Sequence, residues 1–153
     1  MKVIKSVLFV CLGNICRSPT AHAIMRYKNT QLNLNLKIDS AGTDSYHKGE
    51  SPDSRSQLAG EKHGYIFDGI TSRAIQKEDY NNFDLILCMD SKNLHDLNKF
   101  YNDDPHNKIK RLLEYTDLDL YDVPDPYYGG EKGFDHVISL IENAINGLIN
   151  EIS

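Results

Sequence analysis

Residues 7–19 read VLFVCLGNICRSP, and this stretch determines the fold that we expect for the whole chain. The run from Val7 to Val10 is short, β-branched and aromatic, which is typical of a strand buried on both faces inside a parallel sheet. A loop follows it, and the residues from Thr20 to Lys28 read as a helix. We expect Ser18 to cap that helix and Pro19 to take its first position, where the missing N–H costs nothing. The sequence therefore predicts a strand, a tight loop and a helix.

The rest of the chain continues this alternation of strands and helices. Periodicity and capping residues predict six further elements: an edge strand along the alternating Leu32, Leu34, Leu36 and Ile38, a helix from Asp53 or Ser54 to His63, a buried strand from Leu85 to Met89, a helix from Asp90 or Ser91 to about Tyr101, a weaker strand from Ile109 to Leu113, and an amphipathic helix from Phe134 to Ile152. Such a pattern predicts an α/β fold with a central parallel sheet and helices on both faces. Ligands of these folds bind beyond the carboxyl ends of the strands, which is where Cys11 to Arg17 and Cys88 to Asp90 fall.

Length and composition are those of an ordinary globular protein. The 153 residues suit a single domain spanning 1–153, and 22 acidic against 17 basic residues give a net charge of −5. That charge does not suit a nucleic-acid or anionic-membrane binder, which needs clustered Lys and Arg. No apolar run approaches the roughly 18–20 residues of a membrane span, and residues 7–12 are too few for a signal sequence. We therefore expect a cytoplasmic protein that contacts neither nucleic acid nor membrane.

The loop from Cys11 to Ser18 places a cysteine and an arginine at the mouth of a helix, with five residues between them. Five residues allow the loop to curl so that successive backbone N–H groups point inward and bind an anion, helped by the helix N-terminus. Gly13 is expected to supply a backbone angle that other residues resist. Arg17 offers a planar fork for two oxygens of a tetrahedral oxyanion. Among these dipoles we expect Cys11 to act as a thiolate nucleophile, steadied by the Ser18 hydroxyl.

A phosphate ester attacked by sulfur also needs an acid for the departing oxygen, because a phenolate leaves far better when it is protonated. Asp125 is the candidate, since the prolines on either side of it stiffen the loop that presents it. The same carboxylate, once deprotonated, can activate water to cleave a phosphocysteine.

These motifs carry a family resemblance. The segment from Val10 to Pro19, together with Asp125-Pro126-Tyr127-Tyr128, resembles the low-molecular-weight protein tyrosine phosphatases. Further similar segments bring the resemblance to nearly the whole chain: Asp39-Ser40-Ala41-Gly42-Thr43, Ser51-Pro52-Asp53 with Arg55, His63-Gly64, and Phe83-Asp84 leading to Met89-Asp90.

The resemblance implies a flavodoxin-like fold with a four-stranded sheet and a metal-independent hydrolysis of phosphotyrosine without a cofactor. Cys11 would carry the phosphoryl group, Arg17 would bind it, and Asp125 would act as acid and then as base. The implied substrate-binding residues are Leu12, Gly13, Asn14, Ile15, Cys16, Ser18, Tyr46 and Tyr127, with Asn14 bracing the loop beside Ser40 and the two tyrosines walling the cleft. Phosphotyrosine-containing proteins would be the partners, inorganic phosphate the product, and the chain a monomer or weakly self-associating.

Several positions leave alternatives open. Cys16 would either form a reversible disulfide with Cys11, an oxidation safeguard in the family, or be a buried inert thiol. Cys88 is expected to pack in its strand. Members of the family often carry glutamate where His22 stands. Some members have a histidine that supports the loop between the cysteine and the arginine. This chain reads Thr71-Ser72-Arg73 at that place, and we leave the support unassigned. The six histidines have no zinc-type spacing, and we expect them at the surface.

Two rival functions use the same loop. A thioredoxin-coupled arsenate reductase shares the fold, but its disulfide shuttle needs a further cysteine after Cys88, and none follows in this chain. A phosphotyrosine-binding module that has lost turnover would retain the anion pocket. The presence of Cys11, Arg17 and Asp125 together argues against the second rival.

Overall fold

The computed structural model describes residues 3–44, 46–126 and 130–152. Along the chain the elements are β1 (Ser6–Cys11), α1 (Arg17–Leu32), β2 (Lys37–Gly42), α2 (Ser54–Lys62), α3 (Asp79–Asn82), β3 (Leu85–Cys88), α4 (Ser91–Phe100), β4 (Ile109–Arg111), a 3₁₀ turn (Leu112–Tyr115) and α5 (Gly130–Ile152). The four strands are parallel in the order β2-β1-β3-β4. The predicted α/β class and the four-stranded, flavodoxin-like sheet are therefore confirmed. None of the helices in the described residues is long and apolar enough to cross a membrane.

Strand β1 lies at the centre of the sheet and is buried throughout. Val7 and Phe9 point into a core that contains residues of α1, α2 and α5, whereas Leu8 and Val10 point into a second core with residues of α3 and α4. This alternation is what a strand covered by helices on both faces requires. It places the carboxyl end of β1, and hence Cys11, in the middle of the sheet.

Helix α1 begins earlier and ends later than its sequence predicts. Cys16 is the N-cap, so Ser18 and Pro19 lie inside the first turn, where a missing N–H still costs no hydrogen bond. The prediction that Ser18 caps the helix is wrong, because its hydroxyl is used by Cys11 instead.

The edge strand β2 is confirmed, but its start is not. Leu32 is the last residue of α1, and Asn33 and Asn35 both have positive φ, so the alternation of leucines belongs to a turn. The Asn29 side chain holds that turn by bonding both the N–H and the carbonyl of Leu36. Asparagine tolerates the left-handed region, which lets the chain reverse here without glycine.

The second half of the chain follows the predictions more closely. Asp53 caps α2 by accepting from the Arg55 N–H, and Asp90 caps α4 by accepting from the Asn93 N–H. β4 is shorter than expected because the chain tightens into the 3₁₀ turn after Arg111. The four-residue α3 is too short to leave a periodic signal, and the sequence reading missed it.

Candidate active site

The loop between β1 and α1 is held open by hydrogen bonds to its carbonyl groups. Neighbouring segments donate to the carbonyls of Cys11, Leu12, Gly13 and Ile15, and Thr20 donates to that of Cys16. Because a trans peptide directs its C=O and N–H to opposite sides, the N–H group that follows each of these carbonyls is turned away from the surrounding segments. The structure thus fits the anion-binding loop that the spacing predicts.

The conformational role predicted for Gly13 is wrong, because the residue with positive φ is Asn14, at +56°. Gly13 is needed for space instead: a Cβ there would lie 2.9 Å from Cδ2 of His47. The imidazole therefore packs directly against the loop, and a larger residue than glycine would push it away.

Cys11 lies at the floor of the loop and is only 3% exposed. Its Sγ is 3.0 Å from Ser18 Oγ, and the Ser18 backbone N–H donates to it over 3.5 Å. Asn14 Nδ2 donates to the same Ser18 oxygen over 2.8 Å. The predicted contact between Ser18 and the thiol is therefore present, as is a hydrogen bond from Asn14 that braces the loop.

Which group donates and which accepts in the chain from Arg73 through Asn14 and Ser18 to Cys11 follows from the backbone N–H at its outer end. The backbone N–H of Arg73 can only donate, and it donates to Asn14 Oδ1 over 3.1 Å. The Asn14 NH₂ group then faces Ser18 and donates to it, so the Ser18 hydroxyl hydrogen is available for the Cys11 sulfur. A thiolate accepts hydrogen bonds and donates none, so this order of donors stabilises the charged form of Cys11.

Arg17 is buried and reaches the N-cap of α4, just beyond the end of the neighbouring strand β3. Its Nη1 donates to Asp90 Oδ2 and to the Val123 carbonyl, each over 2.8 Å. Both contacts use one nitrogen, while a guanidinium carries further donors on its other two nitrogens. Arg17 also lines the cleft above Cys11, so it is placed as a phosphate-binding cation would be.

Asp125 is exposed and lines the same cleft of about 230 Å³ as Cys11 and Arg17. The loop that carries Asp125 is bonded to the segment that follows β3. The Val123 N–H donates to the Met89 carbonyl over 2.7 Å, and the Asp122 carboxylate accepts from the backbone N–H and the hydroxyl of Ser91. Since the Val123 carbonyl is also bonded to Arg17, the same residue positions the arginine and the loop of the carboxylate.

The rim of the cleft contains Leu12, Gly13, Ile15, Cys16, Tyr46 and His47. Tyr46 is 85% exposed, as an aromatic wall open to substrate would be, and His47 is paired with Glu50 beside it. Tyr127, the second predicted wall, and Tyr128 lie outside the described residues. No group of three His, Cys, Asp or Glu side chains suited to a metal ion occurs in the described part of the chain.

Two residues that support the loop were missed by sequence reasoning. Ser72 Oγ donates to the Gly13 carbonyl over 2.9 Å, and the Arg73 N–H donates to Asn14 as described above. These two residues provide the loop support that could not be assigned from the sequence Thr71-Ser72-Arg73. No local pattern could identify them, because both are 59 residues away from the groups that they bond.

His22 and Ser40 also differ from expectation. His22 is buried rather than at the surface, and its Nδ1 lies 2.9 Å from Ser40 Oγ, the hydroxyl that was expected to support Asn14. Burial lowers the pKa of His22 from 6.5 to about 4, and the nearby carboxylate of Asp39 only partly opposes this.

The lowered pKa predicts an acid-labile fold. The unfolded chain binds a proton at His22 below pH 6.5, whereas the folded chain does so only near pH 4. The stabilising contribution is present above pH 6.5 and is lost as the pH falls to about 4, a loss of about 3 kcal/mol in the free energy of unfolding. We expect His22→Gln, which keeps a hydrogen-bonding side chain but does not titrate, to lack this loss when urea unfolding is compared at pH 7 and pH 4. Parallel losses in parent and variant would contradict the prediction.

The two remaining cysteines are buried and free. Burial, together with the charge of Asp53, raises the pKa of the Cys16 thiol to about 12. Burial and the charge of Asp90 likewise raise the pKa of Cys88 to about 12. Cys88 packs in β3, as predicted, and Cys16 borders the cleft beside Cys11.

Comparison with known proteins gives consistent matches over most of the chain. The sequence profile of a family described as low molecular weight phosphotyrosine protein phosphatase matches residues 6–153. The human low molecular weight phosphotyrosine protein phosphatase is 45% identical over 137 residues, which cover 87% of this chain and 86% of the human one. The crystal structure of YfkJ from Bacillus subtilis superimposes with a TM-score of 0.92 at 42% identity, over 99% of this chain and 96% of that one. A Drosophila arginine phosphatase, DARP, is also similar, with a TM-score of 0.88 at 32% identity over 95% and 96% of the two chains.

Proposed function

The chain belongs to the low molecular weight phosphotyrosine protein phosphatase family, and from that membership we propose how its own residues hydrolyse phosphotyrosine in proteins. Cys11 is the nucleophile, Arg17 and the loop amides bind the phosphate, and Asp125 is the general acid and base. One observation carries the assignment: the thiol, the guanidinium and the carboxylate border a single cleft.

In the first step the Cys11 sulfur attacks phosphorus, and the bond from phosphorus to the tyrosine oxygen breaks. The N–H groups of the loop and the free donors of Arg17 hold the three non-bridging oxygens, whose negative charge must be stabilised throughout the transfer. Asp125 gives its proton to the departing phenol oxygen, which then leaves as a neutral tyrosine. The product of this step is a phosphocysteine.

In the second step water replaces sulfur on phosphorus. Asp125, now ionised, takes a proton from the attacking water, and inorganic phosphate is released. The sulfur leaves as a thiolate, which the Ser18 hydroxyl stabilises through the same 3.0 Å contact. The enzyme thus returns to its starting state without a metal or a cofactor.

The depth of the cleft supports a preference for aryl phosphates. Because Cys11 is almost completely buried, a phosphate must descend past the rim residue Tyr46 to reach the sulfur. A phosphotyrosine side chain is long enough for this descent, while phosphoserine places its phosphate close to the peptide backbone. The exposed Tyr46 ring offers an aromatic contact for the substrate phenyl group.

We expect the protein to release phosphate from a phosphotyrosine peptide at least about 10²-fold faster, in kcat/KM, than from the same peptide with phosphoserine, a difference of about 3 kcal/mol in transition-state binding. The measurement is phosphate release in the presence of EDTA, with a phosphoarginine peptide as a third substrate because the similar Drosophila protein is an arginine phosphatase. Faster release from phosphoarginine would reassign the substrate class. Arsenate-dependent oxidation of thioredoxin without phosphate release would instead favour the reductase.

The remaining expectations stay predictions. A disulfide between Cys11 and Cys16 is supported by their shared position at the cleft, although the raised pKa of Cys16 predicts that it attacks an oxidised Cys11 slowly. The single-domain organisation, the cytoplasmic location and the state of the chain as a monomer or as a weak self-associating species belong to the same group of predictions.

A further inference from the structure

The segment from Ser72 to Ile75 connects the loop between β1 and α1 to the end of β2. Ser72 bonds the Gly13 carbonyl, and the Arg73 N–H bonds Asn14. The Arg73 carbonyl accepts from the Gly42 N–H over 2.8 Å, and the Ile75 N–H donates to the Gly42 carbonyl over 2.9 Å. The backbone of Arg73 is therefore clamped between the end of β2 and the floor of the active site.

The Arg73 side chain provides a second anchor, directed away from the loop. Its Nη1 and Nη2 donate to the two carboxylate oxygens of Asp79 over 2.9 and 3.0 Å, and its Nε donates to Asp39 over 3.2 Å. Asp79 is buried at the start of α3 and also accepts from the Gln76 N–H over 2.8 Å. A two-bond fork between arginine and a buried carboxylate fixes both distance and orientation.

We propose that Arg73 is a positioning residue whose Asp79-bound side chain holds its own backbone N–H in place against Asn14. This inference rests on the function proposed above. Arg73 does not touch the phosphate; it acts through Asn14 and Ser18 on the Cys11 sulfur.

The orientation of the Asn14 carboxamide depends on a fixed donor. An amide can present either its oxygen or its NH₂ group to Ser18, and among the described residues it is the Arg73 N–H that selects between them. If the oxygen faces Ser18, the hydroxyl donates to Asn14 and no longer to Cys11. The leaving thiolate of the second step then loses the hydrogen bond from the Ser18 hydroxyl and keeps only the longer one from the Ser18 backbone N–H, while the loop amides and Arg17 still bind phosphate.

The main test is the variant Asp79→Asn, which keeps the size of the side chain but removes the charged fork. We expect kcat for p-nitrophenyl phosphate to fall about tenfold, with KM changed by less than about twofold. The rate at which iodoacetate alkylates Cys11 near neutral pH should fall as well, because the thiolate is less well stabilised. Arg73→Lys keeps a cation but not the fork, so its kcat should lie between the parent and Arg73→Met.

A double-mutant cycle distinguishes positioning from general loosening of the fold. Asn14→Gly removes the carboxamide and is compatible with the positive φ at this position. If Asp79 and Arg73 act through Asn14, Asp79→Asn should lower kcat by less than about twofold in the Asn14→Gly background. A full tenfold further loss there would overturn the proposal, as would a loss that falls entirely on KM.

Two controls keep the outcome interpretable. Asp96→Asn breaks the exposed ion pair with Lys92 on α4 and should leave kcat unchanged. If Asp79→Asn does not fold, as judged from its thermal melt, the cycle is carried out with Arg73→Lys, and additivity there overturns the proposal equally. An inactive parent would contradict the proposed function, whereas an active parent with an equally active Asp79→Asn would contradict only the role of Arg73.

Discussion

Replacing Cys11 with serine is expected to lower kcat by at least about 10⁴-fold while the affinity for inorganic phosphate changes by only a few-fold. The hydroxyl is almost the same size as the thiol, so the loop and its carbonyl anchors should remain in place. A serine oxygen is scarcely ionised near neutral pH, however, and the site offers it hydrogen-bond donors rather than a base. The variant should therefore bind the oxyanion and fail to attack it.

The measurement pairs turnover of p-nitrophenyl phosphate with calorimetric titration of inorganic phosphate. Cys88→Ser is the matched control, because Cys88 is equally buried and ends the adjacent strand, with the Asp90 and Lys110 carbonyls near its sulfur. Its kcat should stay within about twofold of the parent. Full activity in the Cys11 variant would rule out the phosphocysteine, and loss of phosphate affinity would mean that the substitution had disturbed the loop.

The parts of the site that were predictable from the sequence are local ones. The loop from Cys11 to Ser18 carries its nucleophile, its cation and its hydroxyl within eight residues, so spacing alone indicates how they meet. The caps Asp53 and Asp90 were also predictable, because a cap bonds residues two or three positions away. Local hydrogen bonds of this kind leave a readable pattern in the chain.

The parts that were not predictable depend on backbone groups or on distant partners. The group of Arg73 that orients Asn14 is its backbone N–H, which every residue type except proline carries, so the residue type at this position does not indicate the contact. The leucines before β2 alternate as in a strand, yet the left-handed asparagines between them form a turn. His22 is polar and was expected outside, but its place in the first half of α1, where every residue from Arg17 to Met25 is buried, puts it inside beside Ser40.

Asp125→Ala is expected to slow the hydrolysis of phenyl phosphate by about 10²–10⁴-fold in kcat/KM, the usual contribution of a general acid. The phenol of tyrosine has a pKa of about 10, so its anion is a poor leaving group without a proton. p-Nitrophenol is a much stronger acid, and its anion leaves without help. We therefore expect the loss in kcat/KM for p-nitrophenyl phosphate to be at least about tenfold smaller.

The two kinetic constants separate the two roles of Asp125. The first constant, kcat/KM, reports the steps up to the phosphocysteine, where Asp125 is the acid. The second, kcat, reports the hydrolysis of the phosphocysteine, where Asp125 is the base, and its loss appears as a burst of p-nitrophenol followed by slow turnover. Asp119→Ala, an exposed carboxylate in the same loop, is the matched control and should leave both constants unchanged. Equal losses for the two substrates would show that Asp125 does not protonate the leaving group. Because the Val123 carbonyl joins this loop to Arg17, such a result would assign the defect to misplacement of the arginine, which the phosphate affinity of the variant would reveal directly.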